Sequence, residues 1–500
     1  MTTLDYLGHG FAIALTWQNL FWCLVGCFSG TVVGVLPGLG PLAGMALLLP
    51  FTFDLPPESA LIMLAGIFYG AMYGGSTTSI LARIPGEAAS VVTCIDGHEM
   101  ARQGRAGPAL VISAVGSFLG GSLSVVGLML FAPVLADVML TVGPAAEFVL
   151  MTLALIVVSF VSAGRPIKTI AMILLGLTIG LVGLDPLTAS PRFTYGLIEL
   201  ADGISFVPLS IGLFGLSEIL LNLDSRDTTV PIRPKLRELL PDPQDLRQSA
   251  PAIARGSVIG FAFGVIPGIS HVVSTFVSYA VEKRLSRRPE EFGHGAIAGV
   301  AGPETANNAT TGSAMIPLLV LGIPAIPATA ILLSAMLIHG VRPGPQLIGD
   351  HPDVFWGLIA SMYVGNSILL LLNLPLVGIF VSLLRVPRTY LAPSILLICM
   401  VGVYSVSASA LDLWIMLGAG IAGYALRKFG FDVAPLLLAL VLGGRAELNF
   451  RRALTISDGD YTVFFRGSAV QALLAALAIA VSLQGLAWIA GYRRRSAPEE

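Results

Sequence analysis

Charge is scarce in this sequence of 500 residues: Asp, Glu, Lys and Arg supply 12% of it, whereas 55% is hydrophobic. A soluble domain carries roughly twice that charged fraction. A mean hydropathy of +0.84 leaves more apolar surface than a soluble core can hide, so the implied solvent is lipid. With a formal net charge of −2 there is no basic field for nucleic acid, and that partner is excluded. Residues 1–10 lack a basic stretch, and no small-residue cleavage site follows an isolated apolar core, so no cleavable signal peptide is expected. The four cysteines (Cys23, Cys27, Cys94, Cys399) lack metal-ligand spacing and read as buried thiols. Walker, HExxH, GxSxG and CxxC motifs are all missing, so nothing in the chain has the spacing of an enzyme's catalytic residues.

Gly and Pro are abundant instead, 56 and 32 residues, and many interrupt apolar segments rather than separating them. Membrane helices tolerate such breaks where neighbouring helices or a water-lined cavity satisfy the freed backbone groups, which suits a transporter better than an anchor. Apolar spans are read at 11–36, 58–82, 107–135, 145–163, 167–184 and 204–222. They resume at 251–282, 294–322, 325–341, 353–384, 392–407, 411–428, 432–443 and 463–491. Between the two sets lies a polar stretch with Arg226, Arg233, Lys235, Arg237 and Arg247. The expected organisation is a first transmembrane repeat at 1–223, a cytoplasmic linker at 224–250, a second repeat at 251–462, and a C-terminal transmembrane helix with a basic tail at 463–500.

The halves echo each other. Gly34-Val35-Leu36-Pro37-Gly38 matches Gly264-Val265-Ile266-Pro267-Gly268, and Ser76-Thr77-Thr78 matches Ala309-Thr310-Thr311. Ile84-Pro85-Gly86 then pairs with Ile323-Pro324-Ala325, and Gly107-Pro108 with Gly344-Pro345. Matches in one order at nearly constant offset indicate an internal duplication. Residues 1–82 contain no Lys or Arg, whereas the second Pro-Gly segment is flanked by Arg247, Arg255, Lys283, Arg284, Arg287 and Arg288. By the positive-inside rule the two segments enter from opposite sides. Each would be a re-entrant hairpin, since arms of roughly 15 residues reach only about 22 Å. The fold expected is an all-α polytopic membrane protein of two inverted-topology repeats with re-entrant Pro-Gly hairpins, an elevator-like carrier. Ordinary antiparallel pairs of spanning helices over 11–53 and 251–285 are the alternative.

An anion crossing lipid needs polar donors at membrane depth. Four segments offer them: the tip with Pro37, Gly38 and Gly40; its counterpart with Pro267, Gly268, Ser270 and His271; the run with Ser76, Thr77 and Thr78; and the run with Asn307, Asn308, Thr310 and Thr311. Broken helices at the tips would leave free N–H groups that attract carboxylate. Each also has a plain structural reading, as kinks, close helix packing or interhelical hydrogen bonds. Arg83 could pair with a carboxylate or snorkel to the surface. Glu304 could bind a cation, accept a proton or cap a helix, and His271 could titrate near neutral pH. Asp96-Gly97-His98, with Glu99, Arg102 and Arg105, reads as a solvated cytoplasmic loop.

At these residues the sequence resembles the large membrane (TctA-like) subunit of tripartite tricarboxylate transporters. The resemblance rests on Gly34–Gly40, Phe68–Leu81, Ile84-Pro85-Gly86-Glu87, Asp96-Gly97, Met100–Gly107 and Pro303–Ala309, and extends over essentially the whole chain. It implies a multi-pass permease of the bacterial inner membrane, working with a small four-helix membrane subunit (TctB-like) and a periplasmic solute-binding protein (TctC-like). A Na⁺ or H⁺ gradient would drive carboxylate uptake without a cofactor, with a Na⁺ site near the hairpin tips. The sequence departs from the family pattern twice: an uncharged residue, often Asn, is expected where Arg83 stands, and a Gly-rich tip where Ile269-Ser270-His271 stands. A passive anion channel, an intramembrane enzyme and a non-transporting scaffold are the rival readings. An enzyme would need His, Asp or Glu clustered at one depth, and a scaffold would not need buried polar runs in both halves.

Overall fold

The computed structural model describes residues 3–36, 40–161, 165–185, 187–224, 240–267, 271–383, 388–475 and 478. In chain order its helices are α1 (Thr3–Ala14), α2 (Trp17–Val35), α3 (Gly40–Leu48), α4 (Pro57–Ala82), α5 (Thr93–Arg102), α6 (Ala106–Met139), α7 (Pro144–Val161) and α8 (Pro166–Ile179). There follow α9 (Phe206–Ser210), α10 (Ser217–Asp224), α11 (Pro243–Gly264), α12 (His271–Leu285), α13 (Ala298–Ser313) and α14 (Pro327–Ile338). The rest are α15 (Leu347–Asp350), α16 (Pro352–Asn373), α17 (Val377–Leu383), α18 (Arg388–Ser407), α19 (Ala410–Lys428) and α20 (Ala434–Ile456). Among the described residues α2, α4, α6, α16 and α19 are long and apolar enough to cross a membrane. The chain is a multi-pass helical membrane protein.

Packing groups the chain into two compact units, Met1–Asp137 with Ser205–Phe429, and Val138–Ile204 with Gly430–Glu500. This grouping cuts across the sequence halves 1–223 and 251–462. Helix α11 also starts earlier than the span at 251: Asp242 caps it, accepting from Asp245 N at 2.7 Å, and Pro243 takes the first turn, where a missing N–H is harmless. Residues 225–239 of the linker and most of the span at 463–491 lie outside the described residues.

Both Pro-Gly segments coincide with helix breaks. Leu36 leaves α2 in an extended conformation and α3 begins at Gly40, whose φ is +56°. In the second half α11 ends at Gly264 and α12 begins at His271. The arms are unequal. α2 has 19 residues and α11 has 22, about 28 and 33 Å of helix, while α3 has 9 and α12 has 15. In each half the first arm is near crossing length and the second is short.

Close packing in the first unit rests on glycine. The Cβ that Gly26, Gly30 and Gly34 of α2 lack would fall 2.2, 2.3 and 2.2 Å from the carbonyl oxygens of Met63, Ile67 and Ala71 on α4. In the same manner Gly256, Gly260 and Gly264 of α11 would meet those of Gly302, Ala306 and Thr310 on α13, at 2.4, 2.3 and 2.5 Å. Lipid supplies no hydrophobic push between helices, so contact of this kind, backbone on backbone, is what joins them. α4 becomes the centre of the unit, with every residue from Ser59 to Ala82 buried.

The second unit packs α7 and α8 on α20, which continues as one helix past the span read at 432–443. A charged cluster ties it. Asp185 accepts from Leu187 N at 2.8 Å, Thr188 N at 2.9 Å and Arg451 at 2.9 Å, and also from Arg192, which reaches Glu447 at 2.9 Å. The Arg192 hydrogen bond, followed by the Thr188 N–H, holds the Asp185 carboxyl well below the usual carboxylate range.

Two outcomes follow. Gly30→Val forces α2 off α4 and costs about 1–3 kcal/mol or more in thermal unfolding of the purified protein, whereas Gly8→Ala, with nothing within 4 Å, is neutral or stabilising. Equal stability of Gly30→Val and wild type would disprove the contact. The lowered pKa of Asp185 makes its contribution full above about pH 4, the ordinary carboxyl value, and lost as pH falls further. Asp185→Asn is therefore less stable at neutral pH, and its melting temperature drops less than that of wild type on acidification; parallel acid limbs would contradict the ion cluster.

Candidate functional site

Two helices carry the polar runs, and the fold brings them together. Ser76 on α4 and Glu304 on α13 meet directly, the serine hydroxyl donating to Oε2. Oε1 of the same carboxylate accepts from Thr93 at the start of α5, and Ser113 of α6 stands beside it. Glu304 is 1% exposed. One turn further along α13, Asn307 Nδ2 donates to Glu87 Oε1 at 3.0 Å, while Glu87 Oε2 accepts from Ala89 N at 2.8 Å. Asn308 faces the other way and donates to Ser117 Oγ at 2.7 Å. His271, at the start of α12, lies 3.2 Å from Thr311 Oγ1 and edge-on to the Phe68 ring of α4. A short loop supplies Glu87: α4 stops at Arg83, and Gly86 presses so close that a Cβ there would lie 2.2 Å from Gly34 O and 2.4 Å from Gly75 Cα.

Several residues read as substrate donors are engaged within the protein. Thr78 Oγ1 donates to Val35 O at 2.9 Å, closing the end of α2 onto α4. Thr310 Oγ1 lies 2.7 Å from Ala306 O, 3.1 Å from Gly260 O and 2.8 Å from Ser274 Oγ, and so binds α11 and α12 to α13. On α4 and α13 the buried Tyr69 OH, Tyr73 OH and Asn307 Oδ1 have no hydrogen-bond partner among the described residues, and no bond is formed by the Thr77 hydroxyl. Gly40 opens α3 and Pro267 follows α11 in a turn; Pro37, Gly38, Gly268 and Ser270 lie outside the described residues.

Two readings are revised by geometry, those of Asp96 and of the register of the polar runs. Asp96 is not on a solvated loop: it is fully buried on α5, where Oδ1 accepts from Gly293 N, Gly295 N and Ala296 N at 2.8, 2.8 and 2.9 Å, and Oδ2 from Tyr279 OH at 2.8 Å. Arg83 is exposed and forms no ion pair among the described residues. The polar runs are also out of step. The glycine ridges set Ala71 in the place of Thr310, and the left-handed helix ends at Arg83 (φ +56°) and Gly322 (φ +64°) agree with that register. Thr77 is therefore not the packing counterpart of Thr310, and Phe68 and Tyr69 stand where α13 has Asn307 and Asn308.

Sequence reading left out Thr93, Ser113 and Ser117, and used Tyr73 and Glu87 only as parts of motifs. A single hydroxyl in an apolar helix carries no signal of its own; only the fold assigns it a partner.

The description "Tripartite tricarboxylate transporter TctA family" matches residues 20–438. An Agrobacterium vitis protein described as an uncharacterized 52.8 kDa protein in the TAR-I ttuC' 3' region is 47% identical over 476 residues, 95% of each chain. A second, from the TAR-II ttuC' 3' region of the same organism, is 48% identical over 215 residues, 43% of this chain and 89% of that protein. No solved structure matches.

The left-handed conformation of Arg83 favours Gly or Asn by about 1–2 kcal/mol. Arg83→Gly and Arg83→Asn are expected to raise the melting temperature while leaving uptake of whatever solute the protein carries within about twofold, because the side chain is exposed. A drop in both would show that the guanidinium acts in the site.

Proposed function

The chain belongs to the tripartite tricarboxylate transporter TctA family, and from that premise we propose that it is the large permease subunit of a cation-gradient-driven importer of small carboxylates. The observation that carries the proposal is the buried polar seam of α4 and α13, from Ser76 and Thr77 to Glu304 and Asn307, in the middle of a lipid-facing helical unit. A non-transporting scaffold has no use for such a seam, since polar groups in lipid are expensive. In this reading a periplasmic binding protein delivers a di- or tricarboxylate, a small TctB-like subunit completes the complex, and the assembly sits in the bacterial inner membrane.

The substrate would lie between the hairpin tips and the seam. Thr77 and Tyr73 offer hydroxyls that no acceptor among the described residues occupies, and the first turns of the helices that start at Gly40 and His271 would add backbone N–H groups. Asn307 borders the same space; Asn308, Thr78 and Thr310 instead hold the helices together. The matched ridges α2–α4 and α11–α13 support a duplicated architecture, read as two inverted repeats that move as an elevator.

The test is uptake of labelled carboxylates into proteoliposomes with the small subunit and binding protein added, with and without an ion gradient. Gradient-dependent accumulation requiring the binding protein is expected, and Thr77→Val should lower it about tenfold or more, the worth of one hydrogen bond to a charged group. Downhill flux indifferent to ion and binding protein would replace the carrier by a passive pore. Wild-type uptake by Thr77→Val at normal expression would move the substrate elsewhere.

A further inference from the structure

Apolar side chains crowd a loop of the second unit that has no core to fill. Between α8 and α9 the chain forms a short hairpin, Gly183–Leu184 paired antiparallel with Pro191–Arg192, and runs on to Ile204. Leu184, Leu187, Phe193, Tyr195, Leu197 and Ile198 are all exposed on it, Tyr195 by 86% and Ile198 by 87%. Charge places the loop. Arg165 and Lys168 precede α8, and the linker after α10 carries Arg226, Arg233, Lys235 and Arg237, so the positive-inside rule puts both on the cytoplasmic side. A helical run separates the loop from each of them, α8 before it and Phe206–Asp224 after it. Residues 183–204 therefore belong to the opposite face of the bilayer.

The backbone holds these side chains out under strain. Phe193 and Tyr195 have φ of +52° and +50°, and Ala189 of +54°, a region that residues with a Cβ avoid and bulky ones avoid most. Such a conformation persists only where its surroundings fix it. An ion cluster does so here: Asp185 and Arg192 bond to each other across the hairpin, and both reach α20, through Arg451 at 2.9 Å and Glu447 at 2.9 Å. A fluid bilayer accepts an apolar side chain in any orientation, so a loop resting in lipid needs no such clamp. Charge points the same way. Residues 183–204 hold one basic residue, Arg192, which the cluster occupies, against Asp185, Glu199 and Asp202, and the last two are exposed. A segment that seats on anionic headgroups carries an excess of Lys and Arg, and this one has the opposite sign. Beside the hairpin lies a cavity of about 440 Å³ between Val182, Asp202, Arg445 and Leu448, room enough for an anchoring side chain.

We propose that residues 183–204 are the docking surface for a soluble protein whose contact face is apolar and ringed by Lys and Arg. The identity of that protein rests on the permease reading, in which it is the solute-binding protein; the surface and the chemistry it selects do not. Tyr195 and Ile198 on their rigid frame are the anchors, since aromatic and aliphatic groups held in place lose little freedom on binding. Glu199 and Asp202 at the rim steer the approach of a basic face and disfavour an acidic one.

The experiment is uptake by the full-length protein in proteoliposomes with the small subunit present, as solute-loaded binding protein is titrated in. Tyr195→Ser and Ile198→Ser, both at exposed positions, should raise the concentration of binding protein that gives half-maximal uptake about tenfold, with the maximal rate retained at saturation. Glu199→Lys should raise it as well, and by less as salt is added. A fall in maximal rate with half-saturation unchanged would show a purely structural role and overturn the surface. So would a lowered half-saturation in Glu199→Lys confined to liposomes containing phosphatidylglycerol, which would assign the loop to the lipid face. Unchanged titrations in the variants, beside a wild type that needs the binding protein, would overturn the docking surface and leave the permease reading intact. A wild type indifferent to the binding protein would overturn both.

Discussion

Backbone-to-backbone contact along two glycine ridges is the constraint on which the first unit depends. Gly26, Gly30 and Gly34 let α2 lie on the carbonyls of α4, and Gly256, Gly260 and Gly264 do the same for α11 on α13. In lipid such contact replaces the hydrophobic drive available to a soluble core. It also fixes the rotation of α4 and α13 about their axes. Once those rotations are set, Ser76 must face Glu304 and Asn307 must face Glu87. The polar chemistry is a consequence of where the glycines are.

Much of this was written in the sequence, in uneven measure. Helix content and the membrane environment follow from scarce charge and long apolar runs, because lipid leaves the backbone few other choices. Breaks at Leu36-Pro37 and Ile266-Pro267 follow from proline chemistry. The correspondence of Ser76-Thr77-Thr78 with Ala309-Thr310-Thr311 did not survive, since short polar strings match by composition while packing is registered by glycine spacing. Asp96 misled for a related reason: a carboxylate among Glu99, Arg102 and Arg105 looks solvated until Gly293, Gly295 and Ala296 turn three N–H groups toward it from a distant segment. Only tertiary structure supplies that partner.

The distribution of hydrogen bonds separates scaffold from site. Thr78, Thr310, Ser274 and Asn308 close helix ends and cross-link helices, which a membrane interior demands of any polar side chain it hides. Tyr73, which lies within electrostatic reach of Glu304, and Asn307, one turn along α13 from it, retain unmet capacity, unlike the many Ser and Thr elsewhere in the chain that bond to their own helix.

Gly86 has a mechanical meaning beyond its lack of a side chain. A Cβ on it would collide with Gly34 O at the end of α2 and with Gly75 Cα on α4, and the next residue is Glu87. The loop is a key held in a lock formed by two helices. Any side chain at position 86 would push the loop off both helices at once, and would displace Glu87 from Asn307 with it.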